Sequence, residues 1–317
     1  MKDSKIFATV GMNKLGQEIA SYLGVPLGKS KCDTFSDGEK SPQFEETVRG
    51  QKVFIVGSST NDNIMETLLM IDAAKRAAAG MIIVVLPYYG YARQDRKEGI
   101  RGPIGARLAG DLITMAGANE IISIDLHAAQ IQGFLNIPFD HIEGYTIFLP
   151  TLNKLLLTDF IGQMPVICTP DAGGFARAAK FAAKMNVPIV AINKHRDKPN
   201  SIGSMELVGD VKGKLAIIVD DMCDTAGTLC KAADYLVEKG ATGVIAVTTH
   251  PVLSGNALKN VNESKSIKRV LVANTIMKGY TYADMCPKIT EVSCVSTLAK
   301  VINLIALKQS IHEVNLG

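Results

Sequence analysis

The chain of 317 residues lacks a surplus of either charge: 34 Lys and Arg face 31 Asp and Glu, leaving a formal +3. That excess is too small to announce a nucleic-acid partner, so anionic ligands must be sought in local clusters. There is no C-x-x-C pair, and the six cysteines (Cys32, Cys168, Cys223, Cys230, Cys286 and Cys294) have no ligand spacing with histidine. This excludes a sequence-evident zinc site and points to reduced thiols. No apolar run approaches the roughly 20 residues needed to span a bilayer, so no membrane partner is expected. No low-complexity tract separates the halves of the chain, which are expected to pack against each other. The start, Met1-Lys2-Asp3-Ser4-Lys5, runs straight into a strand-like segment. No signal peptide is expected, and the location implied is cytoplasmic. What remains is a globular chain, long for one core and natural for two domains.

Short apolar, β-branched runs alternate with helical patterns over nearly the whole length. The spacing predicts strands over 5–10, 52–57, 81–87 and 120–125, then over 165–170, 188–193, 215–220, 243–248 and 269–274. Helices are expected over 15–23, 63–79, 104–115, 175–186, 229–239 and 295–308. Continuous apolar strands alternating with helices mean a mainly parallel sheet covered on both faces. The natural boundary falls near 144–150, giving two α/β domains over 1–146 and 147–317. In such sheets ligands bind beyond the carboxyl ends of the strands, so the residues that follow each strand matter most.

The most informative of these is Val219-Asp220-Asp221-Met222-Cys223-Asp224-Thr225-Ala226-Gly227-Thr228. It follows an apolar strand and leads into a helix, so Asp224, Thr225, Gly227 and Thr228 sit on a strand-to-helix turn. Small residues let a phosphate approach backbone N–H groups there, and the helix N-terminus adds partial positive charge. Asp220 and Asp221 could hold sugar hydroxyls or a hydrated Mg²⁺. Three tyrosines and three cations fill Pro87-Tyr88-Tyr89-Gly90-Tyr91-Ala92-Arg93-Gln94-Asp95-Arg96-Lys97, which suits a polyphosphate and a stacked ring, or else a solvated loop. His127 follows one strand and reads equally as a structural residue. Asp171 follows another, ahead of Gly173 and Gly174, where a carboxylate commonly caps a helix. Lys194 and Arg196 end a further strand, and 197–204, with Pro199 and Gly203, reads as a mobile loop. Together these five places are equipment for phosphoryl transfer from a nucleotide.

The turn motif resembles the signature of type I phosphoribosyltransferases, and from about Lys5 to Ile305 the chain resembles the ribose-phosphate diphosphokinase (PRPP synthetase) family. The resemblance rests on Phe35-Ser36-Asp37-Gly38-Glu39, Thr47-Val48-Arg49-Gly50, Asn61-Asp62-Asn63-Ile64-Met65-Glu66 and the block from Tyr89 to Lys97. It continues through Asp125 to Phe134, Pro170-Asp171-Ala172-Gly173-Gly174, Lys194 with Arg196, the 219–228 motif and Thr249-His250-Pro251-Val252-Leu253-Ser254-Gly255. It implies two tandem phosphoribosyltransferase-like (Rossmann-like) domains and a dimer-based homohexamer. It also implies transfer of the β,γ-diphosphoryl group of ATP to the 1-hydroxyl of ribose 5-phosphate, giving PRPP and AMP with Mg²⁺ as cofactor.

By that likeness Asp224, Thr225, Ala226, Gly227 and Thr228 cradle the 5-phosphate, while Asp220 and Asp221 hold the ribose hydroxyls. Phe35, Asp37, Gly38 and Glu39 reach ATP from a neighbouring chain, and Arg93, Gln94, Asp95 and Lys97 reach it from the catalytic chain. His127 and Asp171 match metal-site positions. Lys194 and Arg196 match the cations that close over the transferring group, with Arg196 also near the sugar phosphate.

The chain departs from the family pattern at Glu98-Gly99-Ile100, at the short turn from Ser58 to Asn61 and in the tail from Ser310 to Gly317. Those loops are associated with phosphate activation and ADP inhibition. The expectation is activity without added phosphate, with ADP competing with ATP. Two alternatives stay open on the sequence: a transferase that consumes PRPP, and a catalytically silent regulatory subunit of the same family.

Overall fold

A computed structural model describes residues 1, 3–61, 63–171, 173–195 and 204–316. The chain divides into two compact units, Met1–Thr146 with Cys294–Gly317, and Ile147–Ser293. Among the described residues no helix is long and apolar enough to cross a membrane.

The first unit opens with β1 (Ser4–Ala8) and α1 (Asn13–Tyr22), then a hairpin of β2 (Ser30–Thr34) and β3 (Lys40–Phe44). It continues with β4 (Lys52–Val56), α2 (Ile64–Arg76), β5 (Met81–Leu86), α3 (Gly105–Ala116), β6 (Glu120–Ile124) and β7 (Phe139–Ile142). The sheet order is β1-β4-β5-β6-β7, and every pairing in it is parallel. Val53 to Val56, Ile82 to Leu86 and Ile121 to Ile124 are buried without interruption, because helices cover both faces of these inner strands.

Helix α4 (Tyr145–Thr158) runs through the division between units, with Pro150 inside it. The second unit holds β8 (Pro165–Thr169), α5 (Phe175–Met185), β9 (Ile189–His195), β10 (Ser204–Val208), β11 (Leu215–Cys223) and α6 (Gly227–Glu238). β12 (Gly243–Pro251), α7 (Ala257–Glu263), β13 (Ile267–Ala273), α8 (Tyr282–Met285) and β14 (Ile289–Val292) complete it. Its sheet order is β10-β9-β8-β11-β12-β13-β14, parallel except for the β9–β10 pair. Strand β11 lies at the centre, between β8 and β12.

The fold is therefore α/β with mainly parallel sheets, as the alternating pattern implies. One boundary needs correcting. The second domain was expected to run to the C-terminus, yet α9 (Val295–Ala306) and α10 (His312–Leu316) belong to the first unit. The physical reason is local. Helix α9 packs on α1, and Lys52 Nζ donates to the last carbonyls of α9, those of Ile305 at 2.8 Å and Ala306 at 3.2 Å. A cation at a helix C-terminus satisfies carbonyls that have no intrahelical partner. Further on, Glu143 N donates to Asn315 Oδ1 and Tyr145 Oη to Asn315 O.

The amino-terminal edge of the first sheet holds a carboxyl pair in a pocket of about 520 Å³, lined by Glu120, Asp140, Lys52 and Lys308 among others. Burial, followed by its hydrogen bond to Asp140, pushes Glu120 up to about 8. Below that pH the folded chain keeps a proton that the unfolded chain releases near 4.5. Stability from this group is thus fullest at acid pH and declines as pH rises to about 8. Glu120→Gln is expected to raise the unfolding free energy at pH 8.5 by on the order of 1–3 kcal/mol, with a higher urea midpoint, and to leave both unchanged at pH 5. Urea titrations at the two pH values check this, and equal midpoints at pH 8.5 would contradict it.

Candidate active site

Two acids end the central strand of the second unit. β11 was expected to stop near Asp220, but it continues to Cys223 because β12 is equally long, pairing Asp220 with Thr248, Met222 with His250 and Cys223 with Pro251. Asp220 and Asp221 therefore lie within the strand rather than on the turn. The Asp221 side chain is 5% accessible and that of Asp220 29%. Arg177, on α5, brings Nη1 to 4.0 Å from Asp220 and 3.9 Å from Asp221. Burial, reinforced by the neighbouring Asp221 charge, holds the Asp220 carboxyl well above the usual range, against the pull of Arg177. Asp171 adds to the same negative field.

Beyond Cys223 the turn is short. Asp224 and Thr225 lead to Ala226, which sits in the left-handed region (φ 61°, ψ 0°) and opens α6 at Gly227. Gly227 and Thr228 thus form the first turn of that helix, whose leading N–H groups lack intrahelical acceptors. A Cβ placed on Gly227 would meet nothing nearer than Thr225 Oγ1 at 3.7 Å. Protein packing does not demand that glycine, whereas an anion seated on the amides would.

A neighbouring loop braces the turn. Leu253 N donates to Cys223 O at 2.8 Å, and Ser254 N to Asp224 O at 3.0 Å. Ser254 Oγ also donates to Asp224 Oδ1, and Asn260 Nδ2 to Thr225 O at 3.0 Å. Asp171, after β8, accepts from Gly174 N at 3.0 Å. It is not the N-cap the sequence allowed, because Gly174 holds that place ahead of α5. A Cβ on Gly174 would fall 2.7 Å from Thr169 Oγ1. Lys194 lies on β9, in register with Met205 of β10. Arg196 and the expected mobile loop over 197–203 lie outside the described residues, while Ser204 begins β10.

The first unit carries the other expected residues. Phe35, Asp37, Gly38 and Glu39 form the tip of the β2–β3 hairpin, closed by Phe35 N to Glu39 O and Gly38 N to Phe35 O, both 2.9 Å. Gly38 is required there, at φ 94°. The Phe35 ring is 57% exposed, an apolar surface carried at a hairpin tip. Arg93, Gln94, Asp95 and Lys97 follow β5. Ala106 N donates to Gln94 O at 3.1 Å, and Gln130 Nε2 to Asp95 Oδ2 at 3.0 Å, fixing that loop against the start of α3 and the segment after β6.

The tyrosines of this block differ in setting. Tyr89 is 1% exposed, donates to Ala106 O at 2.8 Å and packs edge-on against Phe139, so it is core and cannot stack on a ligand. Tyr91 Oη donates to Asn61 Oδ1. His127 is exposed, three residues beyond β6.

Among the described residues no group of three His, Cys, Asp or Glu side chains is arranged to hold a metal ion. The oxygen donors around Asp220 still fit Mg²⁺, which keeps several waters and needs only one or two carboxylates. The residues that sequence reasoning missed here are Arg177, Asn260 and Lys278, while Ser254 lay in a block of the resemblance without a role of its own. None of the three has a local signal, since each reaches the site from another element.

A strand–turn–helix at the centre of a mainly parallel sheet, with two acids near its strand end, marks an α/β protein built to receive an anionic ligand beyond its central strand. Residues 4–117 match the N-terminal domain of ribose phosphate pyrophosphokinase, and residues 169–314 the phosphoribosyl synthetase-associated domain. A ribose-phosphate pyrophosphokinase of Wolinella succinogenes is 45% identical over 315 residues, covering 98% of this chain and 99% of that protein. One from Clostridium perfringens is 50% identical over 278 residues, covering 87% and 86%. The crystal structure of phosphoribosylpyrophosphate synthetase from Mycobacterium smegmatis matches with a TM-score of 0.87 at 37% identity, over 96% of this chain and 98% of that one. The chain belongs to the ribose-phosphate pyrophosphokinase family, and it is an enzyme of PRPP synthesis.

The buried acids give a stability test. An acid held above its ordinary value costs stability progressively as pH rises through its folded-state pKa. Without ligand, Asp220→Asn is expected to raise the unfolding free energy at pH 8 by roughly 1–3 kcal/mol, seen as a higher Tm, while abolishing turnover. Thermal unfolding and a turnover assay on the same preparation check this. A variant that is both destabilised and active would refute the assignment.

Proposed function

We propose that the chain transfers the β,γ-diphosphoryl group of ATP to the 1-hydroxyl of ribose 5-phosphate, with the sugar phosphate seated on the second unit. The observation that carries this is the turn after β11, where Ala226 directs the first amides of α6 outward and Gly227 leaves room above them. Thr225 and Thr228 add hydroxyl donors to those amides, and Asp220 and Asp221 accept from the ribose 2- and 3-hydroxyls. Fixing both ends of the sugar aims the 1-hydroxyl, which supplies much of the rate in a reaction limited by alignment.

ATP is bound by Arg93, Gln94, Asp95 and Lys97, with Phe35 against the adenine and Asp37, Gly38 and Glu39 of a neighbouring chain beside it. The exposure of Phe35 at a hairpin tip supports that role, and with it self-association as a dimer-based homohexamer. Asp171 and His127 are the side chains that would hold Mg²⁺, an ion that would supply charge neutralisation for the phosphates. Lys194 and Arg196 neutralise the charge that builds on the transferring group, where a fixed cation lowers the barrier.

Incubation with ATP, ribose 5-phosphate and Mg²⁺, without a nucleobase, should yield AMP and PRPP. Lys194→Ala and Arg196→Ala should each lower kcat by about 10²–10⁴ with little change in KM for ribose 5-phosphate. Chromatography of the nucleotide product decides the reaction: ADP would mean γ-phosphoryl transfer and would sink the proposal.

A further inference from the structure

The turn that receives the sugar phosphate carries a carboxylate of its own. Asp224 directly precedes Thr225, so a phosphate dianion on the turn amides meets a like charge at short range. Two anions that close oppose binding unless a cation offsets them. The two acids at the sugar end have Arg177 beside them. At the phosphate end the corresponding cation is Lys278, on the segment after β13. Its Nζ donates to Val252 O at 2.6 Å and feels the Asp224 charge.

That hydrogen bond falls at a critical place. Val252 precedes Leu253, a β-unlike backbone at φ 43° that a side chain rarely adopts. Leu253 and Ser254 are the residues that brace the turn through Cys223 O and Asp224 O. The Val252 carbonyl is therefore fixed from one side by Lys278 while the next two residues hold the turn from the other. Lys278 is half-buried, and burial lowers its pKa, whereas Asp224 raises it.

We infer that Lys278 is a positioning residue for sugar-phosphate binding: it clamps the 252–254 loop and offsets the charge of Asp224, so that the turn accepts a phosphate dianion. This rests on 224–228 being the sugar-phosphate seat, and it predicts a binding effect without a catalytic one.

Calorimetric titration of ribose 5-phosphate and steady-state kinetics test it on Lys278→Met, Lys278→Arg and Thr228→Val. Lys278→Met should weaken ribose 5-phosphate binding about tenfold, with kcat and KM for ATP within about twofold of the parent. Lys278→Arg should restore most of the affinity, which a merely structural role would not favour, since Arg is bulkier. If Lys278→Met does not fold, Lys278→Gln keeps a donor for Val252 O without the charge and serves the same test. Weakened binding in Thr228→Val alone would overturn the role of Lys278. Unchanged binding in both would overturn the seat itself, and the inference with it. A fall in kcat at unchanged affinity, or equal losses in the Met and Arg variants, would also refute it.

Discussion

Two carboxylates side by side at the end of a buried central strand are the constraint on which the second unit depends. Desolvation and mutual repulsion make that arrangement costly, and it persists only with compensation. Arg177 supplies part of it, at 3.9–4.0 Å from the two acids. Burial and the Asp221 charge raise the Asp220 carboxyl more than Arg177 lowers it. Such an edge is poised for hydroxyl donors or a divalent cation, either of which favours the ionised form. Binding energy and the relief of that electrostatic cost are then the same quantity.

The phosphate end of the site follows from backbone geometry. A chain leaving a strand and entering a helix within three residues needs one left-handed residue, and Ala226 takes it. The amides that follow are then free of intrahelical partners and share one direction. Because a turn this tight is strained, its shape depends on the 252–254 loop and Asn260, which fix three of its carbonyls. Function at this site is therefore distributed over β11, α6, β12, α7 and the segment after β13, even though the motif occupies ten consecutive residues.

Much of this was legible in the sequence, for an identifiable reason. Strands such as Lys52–Val56 and Met81–Leu86 are buried on both faces and read as continuous apolar runs. The β2–β3 hairpin was not visible, because Ser30–Thr34 and Lys40–Phe44 are half-exposed and one contains Pro42. Helix α4 was not among the expected helices: 144–150 read as a boundary between two alternating series, and the division between the units falls inside that helix. The return of α9 to the first unit depends on Lys52, some 250 positions earlier, and has no local pattern. At the site, Asp220 to Thr228 announced themselves through an unusual run of small and acidic residues. Arg177 and Lys278 did not, since their role exists only once the strands are in order. Tyr89 misled for the opposite reason: its neighbours suggest a ligand loop, while its ring belongs to the core.

The central claim is that the turn after β11 is where the sugar phosphate sits. Amide hydrogen exchange with ribose 5-phosphate present and ATP absent measures this most directly. Protection is expected at the amides over 225–228 and at Ser254, with 93–97 unchanged. An unprotected turn, or protection confined to 93–97, would contradict it.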